Sequence, residues 1–480
     1  MPRTGMRIGV ALAAVAGLFA VPGPAGARTL GPPGVWTRIV QTDSTFNQVG
    51  MARTGNGNLH LVWRKRLANG HFSYGWSTVS ERGKLLGSGP VLSNWIGLQN
   101  DPKLVPDHSH LRLIFVGGQD TSAANFFSRA SVYTETSANG TSWSLVHGTM
   151  DNHTVLNRGL AAVVEKDGAT PVAGFGLNNV LFYHVGVDPT APATAADGTA
   201  ATGPVATGID GDVFARDKTG SIWVSWSDRG YWARRFLPSA AKPVKAPQSG
   251  TATSPDNAPG QQVAFAARVG GGEFLAYCSP SKTLQCAHIN LWKVGSAHAM
   301  VVPGSATGHA GKVALAAAPG GHLWVSWFDF GTNQLHVVRT NAAVSRFGAA
   351  HLLRPPPTTF IFAGLQSEGS SGRLDLVVNV LLNAKNNPIW FWHTQVLAGL
   401  ALTARPASFS HKKAATVTFT VTDVGDPVAG ATVSCGGKQA STDASGHAKL
   451  KFSAGTSAGT RTCSATRGGY QAGKTTIRIK

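Results

Sequence analysis

The feature that most constrains this chain is an internal repeat with a period of about fifty residues, the signature of an array of like supersecondary units. Seven segments join small or polar turn residues to an alternating apolar run. They are Gly57-Asn58-Leu59-His60-Leu61-Val62-Trp63, His110-Leu111-Arg112-Leu113-Ile114-Phe115, Gly168-Ala169-Thr170-Pro171-Val172-Ala173-Gly174-Phe175, Gly220-Ser221-Ile222-Trp223-Val224-Ser225-Trp226, Gly272-Glu273-Phe274-Leu275-Ala276-Tyr277, Gly321-His322-Leu323-Trp324-Val325-Ser326-Trp327 and Gly372-Arg373-Leu374-Asp375-Leu376-Val377-Val378. With Leu59, Leu111, Thr170, Ile222, Phe274, Leu323 and Leu374 equivalent, the separations are 52, 59, 52, 52, 49 and 51 residues. Each unit has room for four short strands; in the first they fall at 49–53, 59–64, 72–79 and 85–91, with Gly, Asn and Ser between them.

Four antiparallel strands per unit predict the blade of a β-propeller, each sheet burying its faces against its neighbours around a channel. A stacked solenoid is the alternative, although its repeats are usually shorter. Composition agrees with an all-β chain: 42% of residues are hydrophobic and only 14% charged, too few Glu, Lys and Arg to clothe many solvated helices. The ends bear on ring closure. The seventh unit supplies strands at 360–365, 374–380 and 389–396 but no fourth, and Val35-Trp36-Thr37-Arg38-Ile39-Val40 is a strand left over before the first unit. Pairing the two covers both exposed edges and predicts Trp36 beside Trp390 and Trp392.

Residues 1–27 read as a secretory signal: Arg3 and Arg7, an apolar run over 8–21, then Ala25-Gly26-Ala27 as cleavage site. A membrane anchor needs roughly 20 apolar residues, and this run stops at Pro22 and Pro24. No second apolar span occurs, so no transmembrane segment is expected. The domains are then 1–27 (signal), 28–398 (seven-bladed propeller) and 399–480 (a small β-sandwich), in a secreted chain that is held at a cell surface only by what it binds. Export favours disulfides, with Cys278 to Cys286 and Cys435 to Cys463 the simplest of the three pairings. A zinc site from all four is the rival, without paired C-x-x-C knuckles to support it.

The formal charge is +19, from 42 Lys and Arg against 23 Asp and Glu. Residues 403–480 hold 11 basic and 3 acidic residues. A field of that sign draws polyanions, and the basic C-terminal segment is expected to hold the protein near an anionic surface. Nucleic acid is not an expected partner, because no nucleic-acid motif accompanies the charge.

Two stretches resemble known families. Ser137-Ala138-Asn139-Gly140-Thr141-Ser142-Trp143 resembles the Asp-box turn of sialidase-like (BNR-type) propellers, with Asn139 in place of the Asp. The box is a structural turn and implies the fold, not an activity. Gly425-Asp426-Pro427-Val428-Ala429-Gly430-Ala431-Thr432-Val433-Ser434-Cys435, followed by Thr442-Asp443-Ala444-Ser445-Gly446-His447-Ala448, resembles bacterial Ig-like domains, which implies a spacer or attachment module. Alternation and turn spacing point independently to a small sandwich stapled by Cys435 and Cys463.

Propeller ligands usually meet the end where the innermost strands begin and the second and third strands are joined. Mapped onto the repeats, the inner-strand starts gather Gln48, Asp101, Arg158, Asp212, Gln262 and Lys312, and the loops add Arg64, Asp120, Asp228, Arg229, Tyr231 and Asp329. Such a set can orient a polar ligand such as a sugar, with Tyr231 or Trp232 stacking on it; a solvated polar channel is the plainer reading. A working sialidase requires three arginines, a Tyr with a Glu partner and an Asp acid. Trp36-Thr37-Arg38-Ile39-Val40 loosely resembles that family's Arg-Ile-Pro start but lacks the Pro, and no motif ties Tyr231 or Tyr183 to a Glu. Glycoside hydrolysis generally needs two placed carboxylates, for which Asp101 and Asp212 are the candidates. No Gly-rich phosphate loop follows a predicted strand and opens a helix, and Asp107-His108-Ser109-His110 reads as a hairpin rather than a metal site. The expectation is a monomeric, noncatalytic protein without cofactor or metal that recognises a glycan or envelope polymer, neutral or anionic. A glycoside hydrolase at the same site, or a structural or protein-binding surface module, are the alternatives.

Overall fold

The computed structural model describes residues 35–42, 49–98, 102–107, 110–118, 131–144, 160–164, 171–175, 181–184, 194–195, 210–227, 230–250, 263–281, 285–356, 361–381 and 389–480. The described chain is all-β, with one short 3₁₀ turn at Pro319–Gly321. No described helix is long and apolar enough to cross a membrane.

The repeat motif is the second strand of a sheet each time it occurs. The first sheet runs Gly50–Arg53, Leu59–Arg66, Phe72–Val79, Leu85–Trp95 in antiparallel order. The second contains Lys103–Asp107, His110–Gly118 and Ser131–Ser137, with Gly97–Leu98 on its edge. The third is Ala161–Val164, Pro171–Phe175, Leu181–His184, Thr194–Ala195, and the fourth Asp210–Arg216, Ile222–Ser227, Tyr231–Leu237, Val244–Lys245. The fifth (Val263–Ala267, Glu273–Ser281, Cys286–Lys293, Met300–Val301) and the sixth (Ala310–Ala317, Leu323–Asp329, Gln334–Arg339, His351–Leu353) are joined by one pairing, Cys286 with Ala310. The seventh is Ile361–Glu368, Leu374–Leu381, Ile389–Val396, completed by Thr37–Thr42. Asp107 pairs with His110, as a hairpin requires.

The first strands of successive sheets touch in turn. Gly50–Arg53 meets Lys103–Asp107, and contact passes through Ala161–Val164, Asp210–Arg216, Val263–Ala267, Ala310–Ala317 and Ile361–Glu368 back to Gly50–Arg53. These strands therefore line a closed, propeller-like ring. Strand alternation explains the tryptophans. Trp324 and Trp327 lie three residues apart and so leave opposite faces of one strand. Trp324 joins the layer against the seventh sheet and Trp327 the layer against the fifth. Trp223 and Trp226 divide in the same way. Close approach is set locally by glycine: a Cβ on Gly75 would lie 2.3 Å from the Trp63 ring.

The N-terminal strand closes the ring as the sequence requires. Arg38 pairs with Trp392 and Gln41 with Trp390; Trp36 packs in the same cluster as both rings, and the Arg38 guanidinium lies 4.4 Å from the Trp390 centroid. Charge then locks the first sheet to the seventh. Arg53 donates to Glu368 at 2.7 Å and to Asp375, and Asp375 also accepts from His393 Nε2 at 2.7 Å and Gln395 Nε2 at 2.9 Å. Asp375 is wholly buried.

The Asn139 turn forms as its motif implies. Asn139 Oδ1 accepts from the backbone N–H groups of Thr141 and Ser142, both at 2.9 Å, and Ser137 Oγ accepts from Gly140 N at 2.8 Å. Gly140 has φ +75°, and a Cβ there would meet the His60 ring at 2.0 Å. Asn139 suffices in this turn because only a side-chain acceptor is needed.

Glu135, 3% exposed between the first two sheets, has no hydrogen-bond partner on Oε2 among the described residues, and burial pushes its carboxyl up to about 8. Between the unfolded value of 4.5 and about 8 the folded state holds the extra proton. Stability therefore falls as pH rises through that window, by about 1.4 kcal/mol per unit. Glu135→Gln stays neutral, so it should match the parent at pH 4 and exceed it by about 2–3 kcal/mol at pH 7 in urea unfolding. Equal stabilities at pH 7 would sink this reading. His60, pushed down to about 4 by burial, has the opposite pH slope but is shared by both proteins.

The C-terminal chain forms two sheets over one core. One contains Ala401–Arg405, Ala415–Asp423, Asp426–Pro427 and His447–Phe452; the other Ser408–Phe409, Gly473–Ile479, Gly459–Thr466, Thr432–Cys435 and Lys438–Ser441. Val417, Phe419, Val421, Val433, Leu450 and Ile477 fill the space between them. Cys435 and Cys463 sit opposite each other in register and form a disulfide, as do Cys278 and Cys286 across their short loop. The unit docks through charge. Asp423 accepts from Arg339 Nε at 3.1 Å with His322 at 3.8 Å, and Asp426 accepts from Ala342 N at 2.5 Å.

Candidate functional site

The end of the ring where first strands begin and second strands finish is best described at the sixth sheet. Ala310–Ala317 starts there, and its pairing jumps from Gly311 with Phe328 to Ala314 with Ser326. Lys312 and Val313 therefore stand together opposite Trp327, a β-bulge of the kind that re-aims a side chain. Lys312 carries the strain, with φ +54°. A left-handed backbone on a residue other than Gly or Asn costs on the order of 1–2 kcal/mol.

The Lys312 side chain is also 7% exposed and makes no hydrogen bond or ion pair among the described residues. Burial pulls its ammonium down to about 8. The fourth sheet carries the same bulge: Asp210 pairs with Ser227 and Val213 with Ser225, leaving Gly211 and Asp212 opposite Trp226. Aligning the two bulges sets Gly211 level with Lys312 and Asp212 level with Val313. Lys312 thus fills a position that the fourth sheet gives to glycine, and Asp212 and Lys312 are one residue out of phase.

Around Lys312's sheet the polar groups are interlocked. Asp329 is 1% exposed; its carboxylate accepts from Thr307 Oγ1 at 2.6 Å, Thr332 N at 2.8 Å and Thr332 Oγ1 at 3.1 Å. Burial alone would raise Asp329, but these hydrogen bonds outweigh it and hold the carboxyl below its ordinary value. His336 stacks on Trp327 with centroids 4.9 Å apart, and burial lowers its pKa against the pull of Asp329. His309 Nδ1 meets Gln285 Oε1 at 3.0 Å.

Two of the residues expected to meet a ligand are placed otherwise. Asp329 holds the Thr307 and Thr332 turns instead of facing the opening, because the loop after it is short enough for its own backbone to reach the carboxylate. Tyr231 is fully buried between the fourth and fifth sheets, 5.4 Å from the Tyr277 ring, so it cannot stack on a sugar; burial and then Tyr277 push its phenol above the ordinary range. Alternation with buried Ala233 puts it in that layer. Trp232, on the other face, is half-buried with Lys245 Nζ 5.5 Å from its ring. Arg64 is half-buried, its guanidinium 4.5 Å from the Phe72 centroid.

Tyr183 pairs through its backbone with Ala173 and Ala195. Gln48, Asp101, Asp120, Arg158, Asp228, Arg229 and Gln262 lie outside the described residues. Sequence reasoning missed Thr307, His309 and Gln285, although Ser305-Ala306-Thr307-Gly308-His309 is a polar run directly before an apolar strand. A separate cleft lined by Arg268, Lys293 and His298 over Phe274 and Met300 opens at the opposite end, beside the turn between the first and second strands of the fifth sheet.

No protein-family model matches the sequence, and no curated protein does. Among solved structures the chain is similar to a Dyadobacter fermentans protein of unknown function, at 11% identity over 76% of this chain and 99% of that one, with a TM-score of 0.43. It is similar to a polysaccharide lyase at 9% identity, covering 78% and 91% of the two chains with a TM-score of 0.46. A Hadza microbial sialidase is similar at 10% identity, covering 73% and 65%, with a TM-score of 0.43.

Proposed function

We propose that this chain is a secreted seven-bladed propeller with an Ig-like C-terminal module, and that it recognises a carbohydrate or another envelope component at the end of the ring where the first strands begin, without turning it over. The closed run of first strands, the N-terminal strand that completes the seventh sheet and the Asn139 turn support the architecture. Two disulfides support export, since they persist in oxidising compartments. The domain limits remain 1–27, 28–398 and 399–480.

Lys312 is the observation that carries the binding reading. A buried amine is costly without a partner, and backbone strain collects at functional positions. A ligand oxygen that accepts from this amine would supply a partner that the described residues do not. On a glycan array at about 150 mM salt, where nonspecific attraction is screened, the chain from residue 28 onward should give specific hits. Lys312→Met keeps the bulk and removes the donor. It should weaken those hits by about tenfold or more, since a lost hydrogen bond to a charged group is worth about 1.5–3 kcal/mol. Thermal stability should be unchanged or higher. Hits that survive Lys312→Met would move the site away from the sixth sheet, and silence on every glycan would favour a protein partner. Turnover of a glycan hit that Asp212→Asn abolishes would revive the hydrolase alternative.

A further inference from the structure

The C-terminal unit presents one sheet face whose ionisable strand side chains are all basic and are set among threonine hydroxyls. Two of its three carboxylates are committed to the docking contact, and the third is held by its own turn at the end of this face. Asp423 and Asp426 point to Arg339, His322, Arg346 and the Ala342 N–H, and Asp443 accepts from the backbone of Ser445 and His447 at 2.9 Å each. The unit's basic residues face solvent instead. In His447–Phe452 the burial alternates, so His447, Lys449 and Lys451 point outward while Ala448, Leu450 and Phe452 enter the core. Lys451 pairs with Thr416, Lys449 with Thr418 and His447 with Thr420; on the next strand Arg405 pairs with Thr418 and Thr403 with Thr420.

This register lines Lys449, Thr418 and Arg405 into one row across three strands, with Lys451 beside it. Strand spacing puts Lys449 and Arg405 about 10 Å apart, and Lys449 and Lys451 about 7 Å apart. Asp443 lies at the far end, near His447 and Lys449, and is occupied by its own turn. We propose that this face binds a linear carboxylated polysaccharide, with Arg405, Lys449 and Lys451 pairing its carboxylates and the threonine hydroxyls bonding its sugar hydroxyls.

The wide row suits carboxylates two rings apart along a polymer that is charged on every ring, as polygalacturonate is. The outward positions hold no large apolar side chain to insert into a bilayer and no aromatic ring to stack on a base. This surface is separate from the Lys312 site and does not depend on it.

The test uses the chain from residue 28 onward with polygalacturonate as probe, neutral dextran as control, and salt at about 20 and about 150 mM. Arg405→Gln/Lys449→Gln/Lys451→Gln should weaken polygalacturonate binding by about tenfold or more, whereas Lys438→Gln/Lys474→Gln/Arg478→Gln, with the same charge change on the opposite sheet, should weaken it by less than about threefold. Both triple variants keep Lys312, so the ring site is the same in the two proteins and cannot account for a difference between them. Equal losses in the two triple variants, absence of binding by the parent, or tighter binding to anionic lipid vesicles than to polygalacturonate would each overturn the proposal.

Discussion

Replacing Asp375 by Ala should cost about 3–5 kcal/mol of stability, the typical loss when one partner of a buried ion pair is removed. Asp375 has no exposed surface and sits between Arg53 of the first sheet and His393 and Gln395 of the seventh. Its loss leaves three donors facing a void, and only Arg53 has a second carboxylate, Glu368. The damage falls where the ring closes, at residues more than three hundred positions apart. Denaturant unfolding followed by tryptophan fluorescence should show the lower midpoint. Hydrogen exchange should show early opening of Thr37–Thr42, which is held to Ile389–Val396. Asp375→Asn, which keeps the size and two of the acceptor contacts, should lose less. A cost under about 1 kcal/mol for Asp375→Ala would mean that the apolar layer around Phe391 and Leu61 closes the ring without the charges.

The second large effect is expected where the C-terminal unit docks. Asp423→Ala strands the Arg339 guanidinium, which is buried, lies 4.7 Å from the Trp324 centroid and also donates to Gly372 O at 3.1 Å. Removing its only ion-pair partner among the described residues should weaken docking by about 3–5 kcal/mol. The parent should then resist proteolysis near residues 396–401, where Ala398 and Gly399 pair in parallel with Tyr470 and Gln471, and the variant should be cut there. Each half should stay folded, because each has its own core. Unchanged protection would show that the parallel pairing and the Tyr470 contacts dock the unit by themselves. An intact junction makes this unit a fixed extension of the ring, so the Arg405, Lys449 and Lys451 face keeps one orientation to the Lys312 end.

Much of the fold was legible because its signals are local. Leu59-His60-Leu61-Val62-Trp63 and its six counterparts name their own strands, since alternation and flanking turns act over a few residues. The leftover strand at Trp36 named its partner by elimination, and Cys435 and Cys463 stood in strands close enough to pair. Ala401–Arg405 and Lys438–Ser441 were not anticipated, because they are short and between them offer one buried large apolar residue, Leu402. Tyr231 was read as a loop tip because Asp228-Arg229-Gly230 precedes it. It is instead the first residue of a third strand, and the layer it enters is created by the next sheet.

The order of units, the turn chemistry, the all-β character and the basic excess were set by the sequence alone, through propensity, spacing and charge count. Only the tertiary structure decided which charges are consumed. Arg53 finds Asp375, and Arg339 finds Asp423, through ring closure and docking that no local pattern encodes. The same packing buries Lys312 with no partner among the described residues, and the slip that turns its backbone left-handed arises from pairing Ala310–Ala317 against Leu323–Asp329. Burial makes an unpaired charge expensive, so its meaning depends on neighbours brought from far along the chain.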